Sequence, residues 1–126
     1  MSDRLPGDEA VALAGAAAEA VRGLNRAAGE QDGIGRPSAA YDVLGSLSLA
    51  VSRLGQALAC LARYLDAALA GGALGHDLGD DPCFAVEAAG LFLDGARLSA
   101  AALAGDLGAA QHQIACLNGN PRKDHP

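Results

Sequence analysis

The sequence predicts an all-α protein: a long antiparallel helical hairpin plus a shorter N-terminal helix, three-helix bundle-like and completed by dimerisation. Three observations predict it. Leu44, Leu47, Val51, Leu54, Leu58, Leu61 and Leu65 recur at alternating spacings of three and four, the rhythm of a heptad seam that must bury itself against another helix. A second seam, Val86, Leu93, Ala96, Ala100, Leu103, Leu107, Ala110, Ile114 and Leu117, lies beyond a Gly- and Asp-rich break. Finally, apolar residues make up 51% of the 126-residue chain, yet its aromatic residues are only Tyr41, Tyr64, Phe84 and Phe92. Strands favour β-branched and aromatic side chains, whereas Ala and Leu are among the best helix formers. The length suits one domain, residues 1–121.

The elements follow in order. Helix 1 is expected over 8–28, with Asp8 as N-cap, Gly29 just past its end, and a stripe of Ala14, Ala17, Val21, Leu24 and Ala28. The break Glu30-Gln-Asp-Gly-Ile-Gly-Arg-Pro37 follows. Helix 2 is expected over 38–70, with Ser38 as cap and Gly71-Gly72 as stop. Asp81-Pro82, an acidic cap before a proline at the first helical position, opens helix 3, expected over 81–117. Residues 122–126 are expected to be disordered. Similar lengths and matching seams fold helices 2 and 3 into a hairpin.

Eight glycines fall inside these helices, each costing about 1 kcal/mol relative to Ala. Close backbone approach, a break near Gly105 and Gly108, or a codon bias inflating Ala and Gly would each account for some.

The net charge is −6, and the nine Lys and Arg residues form no basic stripe, which argues against nucleic-acid binding through phosphates. No window reaches the roughly 18 uncharged apolar residues of a membrane span. Arg53, Arg63 and Asp66 interrupt helix 2, and Asp94, Arg97 and Asp106 interrupt helix 3. Met1 to Gly7 lacks an apolar signal core, so the reading is a soluble cytoplasmic protein. Cys60, Cys83 and Cys116 are odd in number and widely spaced, so neither a disulfide framework nor a C-x-x-C site is expected.

Function is read through surfaces. Helix 1 spans about 32 Å and the hairpin about 50 Å, so helix 1 leaves part of the seam uncovered. The first half of helix 3 is apolar nearly all round. With Leu93 at heptad position a, Phe84, Leu91 and Leu98 fall at f and Phe92 at g. Such a helix is central in a bundle or sits at an interface. Helix 1 packed on this second stripe is one solution. An interface with protein, self or another helical chain, is the other, and a C2 homodimer is its commonest form. The partner-binding candidates are Phe84, Leu91, Phe92 and Leu98.

Chemistry is sparse. His112 and Cys116, four apart, share a helix face without the further ligands a metal needs. Gly75-His76-Asp77-Leu78-Gly79-Asp80-Asp81 is acidic but lacks the ordered calcium-loop spacing. Asp94 and Arg97 read as a surface ion pair. No nucleophile, phosphate-loop or dinucleotide motif is present. The expectation is a non-enzymatic interaction or accessory protein with no cofactor and no metal. The alternative is a small-molecule-binding or regulatory helical module.

The stretch Arg36-Pro37-Ser38-Ala39-Ala40-Tyr41-Asp42-Val43-Leu44-Gly45, with Arg53-Leu54-x-Gln56-x-Leu58-x-x-Leu61-x-Arg63-Tyr64-Leu65 after it, resembles small Ala/Leu-rich helical proteins of high-GC actinobacteria. The likeness spans helices 2 and 3. It implies the all-α fold and assigns no activity. In size and class the chain is also similar to the helical-hairpin substrates of type VII secretion. It departs from them in lacking Trp, hence their W-x-G turn, and their Y-x-x-x-[DE] signal, since Ala68 stands four residues after Tyr64.

Overall fold

A computed structural model describes residues 4–119, and among these every regular element is a helix. α1 is Asp8–Gly29, α2 is Pro37–Ala70 and α3 is Pro82–Gln113. The expected tail, 122–126, lies outside the described residues.

The caps show why the helices start and stop where they do. Gly7, at φ 91°, occupies the N-cap of α1, and Asp8 is its first helical residue rather than its cap. The Asp8 carboxylate accepts from the Leu5 amide at 2.7 Å, and with Glu9 it places negative charge at the positive end of the helix. α2 begins one residue earlier than predicted. Arg36 is its N-cap and Pro37 sits in its first turn, a position that costs no hydrogen bond. Ser38 is thereby inside the helix, and its hydroxyl accepts from Arg36 Nε at 3.0 Å instead of capping.

α2 ends in a Schellman motif. Ala73 N donates to Ala68 O and Gly72 N to Leu69 O, at 2.9 and 3.1 Å, with Gly72 at φ 72°. Asp81 caps α3 as predicted, its carboxylate accepting from Cys83 N at 2.9 Å. α3 runs unbroken through Gly105 and Gly108, so no break forms there, but it stops at Gln113 rather than Leu117. Beyond it the chain tightens into three-residue turns, with Ile114 N on Gln111 O and Leu117 N on Ile114 O.

α2 and α3 pack together as the antiparallel hairpin, and among the described residues they are the only pair of helices that does so. Two long-range hydrogen bonds set its register. Ser48 Oγ donates to Ala104 O at 2.8 Å, and Gln111 Nε2 donates to Tyr41 O at 3.1 Å. α1 approaches the hairpin only at its C-terminal end, where Leu24 borders a cleft with Asp42, Val43, Ser46 and Leu47. Leu13, Ala14, Ala17, Val21 and Ala28 of α1 are all exposed. Helix 1 therefore does not cover the Phe84–Leu91–Leu98 stripe, which rules out that one of the two sequence solutions.

Candidate docking surfaces

The seam of the hairpin is not the leucine zipper that the spacing suggests. With Leu44 at a, the a row (Leu44, Val51, Leu58, Leu65) does face α3. The second row facing it is e, formed by Ser48, Gly55, Ala62 and Leu69, all partly buried. The d-row leucines Leu54 and Leu61 stay 50% and 53% exposed. Small residues at e let the helices approach closely. A methyl group at Gly108 would meet Ser48 Oγ at 3.7 Å, and one at Gly45 would collide with the Gln111 amide. α3 shows the same shift, with Ala104 and Gln111 partly buried and Leu103, Ala110 and Leu117 exposed.

This register leaves little interior. Among the described residues only Val86 and Ala100 are buried, at 6% and 7% exposure. The chain exposes 9810 Å², whereas a compact monomer of 12.5 kDa exposes about 6,200 Å².

The two flanks of the hairpin differ in chemistry. The front flank carries a groove of about 780 Å³ running between Ser52, Gln56 and Ala59 of α2 and Asp94, Arg97 and Leu98 of α3. Arg97 and Asp94 pair across its α3 wall at 3.6 Å, as their spacing predicts. Arg63 stands further along α2 on this side, where its guanidinium donates to Cys60 Sγ at 3.1 Å. On the rear flank, the d and g positions of α2 carry no charge from Val43 to Ala68, and those of α3 carry none from Ala85 to Leu103. At its loop end this flank opens into an apolar cleft bordered by Leu65, Leu74, Ala85, Val86 and Ala89.

All four predicted partner-binding residues are exposed, Leu91 at 75%, but they do not form one patch. Phe84, Leu91 and Leu98 follow the outer edge of α3 on the groove side, where Leu98 lines the groove itself. Phe92, at g, stands on the rear flank. The hairpin register sets Phe92 level with Leu61, and Leu103 between the levels of Leu47 and Leu54. The sequence reading missed Leu54, Leu61 and Leu103 because it assigned all of them to the internal seam. The signal that could have found them is the run of small residues one position after each d-row leucine.

The remaining polar groups are dispersed. Among the described residues no three of His, Cys, Asp and Glu converge. Cys116 lies past the end of α3 and is exposed, so the helical i, i+4 relation with His112 does not form. His76 Nδ1 accepts from Leu78 N at 3.1 Å within its acidic loop. The Cys83 thiol donates to Glu87 Oε1 at 3.4 Å. That bond, with partial burial and the charges of Glu87 and Asp81, holds the thiol above its ordinary pKa.

By length and composition α2 is apolar enough to cross a membrane if up to two charges are allowed in the window, and none of that stretch is buried. The sequence criterion, which allowed no charge, passed over it. No protein-family model matches the chain, and no curated protein or solved structure matches it at a significant level.

Proposed function

We propose that this is a non-enzymatic helical interaction protein, which works by docking the apolar surface of its α2–α3 hairpin onto another helical surface, foremost a second copy of itself. The observation that carries this reading is the missing interior. A surface more than half again that of a compact monomer, with two buried side chains among the described residues, leaves the chain short of the apolar burial that offsets chain entropy. Association supplies the deficit. The three free thiols suit a reducing compartment and support a cytoplasmic setting. Arg53 in the middle of α2, and Glu87, Asp94, Arg97 and Asp106 along α3, favour a protein partner over a bilayer.

Light scattering and circular dichroism on the purified chain test the proposal. An assembly larger than one chain at micromolar concentration, losing helix content on dilution, is the expected result. A strict monomer that keeps its helicity and melts cooperatively sinks the self-association.

The front groove favours a second reading, a small-molecule-binding module. It is lined by an ion pair, a hydroxyl and an amide against apolar walls, the mixture that orients small ligands. Thermal-shift screening separates the two, because a ligand that binds the folded state raises the melting temperature.

A further inference from the structure

We infer that the rear flank of the hairpin, built by Leu47, Leu54 and Leu61 of α2 with Phe92, Ala96 and Leu103 of α3, is the face on which a second copy of the chain seats, closing a four-helix bundle. The inference rests on the proposed association and names the face that carries it.

Three observations select this flank over the Phe84–Leu91–Leu98 stripe. The first is geometry. The stripe lies on one helix, so pairing across it would leave the α2 leucines bare. The flank draws on both helices, and pairing across it covers Leu54, Leu61, Phe92 and Leu103 together. The second is area. From Val43 to Ala68 the flank is about 40 Å long and two helices wide, with axes about 9 Å apart. That offers roughly 700 Å² per copy, close to the about 800 Å² per partner that a stable interface buries.

The third is charge. Each copy carries −6, so two copies repel, and a two-fold interface sets like residues near one another. Over this length the flank carries one charge, Asp106 at its α1 end, whereas the front flank carries Asp66, Glu87 and Asp94 with Arg63 and Arg97. A self-complementary contact centred on Leu54, Leu61 and Phe92 leaves Asp106 at its rim and buries no unpaired charge.

The test uses the unmodified full-length chain. Hydroxyl-radical footprinting read by mass spectrometry is run from the assembled concentration down through dilution, with the mass followed by light scattering. Leu54, Leu61, Phe92 and Leu103 should lose reactivity at least fivefold on assembly, while Phe84, Leu91 and Leu98 stay reactive. Leu61→Glu should weaken assembly at least tenfold and Leu91→Glu less than twofold. Protection of Phe84, Leu91 and Leu98 in an assembled chain overturns this assignment and leaves the association standing. Flank protection in a chain that is monomeric at every concentration means that its own α1 covers the flank, and this too overturns the assignment. A monomer with the flank fully reactive removes the proposed self-association itself.

Discussion

The Ser48 hydroxyl hydrogen-bonds the Ala104 carbonyl at 2.8 Å across the hairpin, and it does so from the row of α2 that holds its small residues. This bond satisfies a part-buried hydroxyl and locks the two helices in register. Ser48→Ala should cost about 1 kcal/mol, the net worth of one such bond, seen as a lowered denaturation midpoint with unchanged helix content.

The helix glycines divide into two kinds. A side chain at Gly105 meets no neighbour, whereas one at Gly45 drives into the Gln111 amide that bonds the Tyr41 carbonyl. Gly105→Ala should therefore stabilise the chain by about 1 kcal/mol through helix propensity. Gly45→Ala should bring no such gain, because it displaces Gln111. Thermal melts of the two variants side by side make the comparison.

Val86 and Ala100 are the centre of what interior there is. Val86→Ala removes two buried carbons and should cost about 1.5 kcal/mol at about 0.8 kcal/mol each. Ala100→Leu overfills the seam and should cost about 1–3 kcal/mol. Ala101→Leu, one residue away and exposed, should be near neutral. Urea denaturation reads all three.

Asp81→Ala removes the carboxylate that caps Cys83 N and should cost about 1 kcal/mol. Ser38→Ala should cost no more than a few tenths of that, since Ser38 caps nothing. A larger loss at Ser38 than at Asp81, measured by thermal denaturation, would contradict the observed caps.

The hydrogen bond to Glu87, then burial and the nearby acidic charges, raise the Cys83 pKa. The folded chain thus holds this proton more tightly than the unfolded chain does. Its contribution to stability is complete below the ordinary thiol pKa and is lost as pH rises through the raised one. The alkylation rate of Cys83 should rise with pH at a midpoint above the ordinary thiol value, and Glu87→Ala should bring that midpoint down. Denaturation of Cys83→Ala should lose the part of the pH dependence that the thiol supplies.

The sequence by itself determined the helices, their breaks and the hairpin. Asp81-Pro82, Gly71-Gly72 and the a row of leucines act within a few residues of their own position, so local chemistry is enough to place them. Asp8 became the first residue of α1 rather than its cap, its carboxylate turning back to Leu5, and α3 ended early because residues past Gln113 tighten into turns. Those choices lie between local alternatives of similar energy. Only the tertiary structure decided which row accompanies a in the seam. In a heptad the d and e rows lie on either side of a, and a lone helix does not distinguish them. The close approach of Gly45 to Gln111 and the bond from Ser48 to Ala104 turn the small e row inward. Leu54 and Leu61, which looked like the interior of the hairpin, are for that reason on its outside.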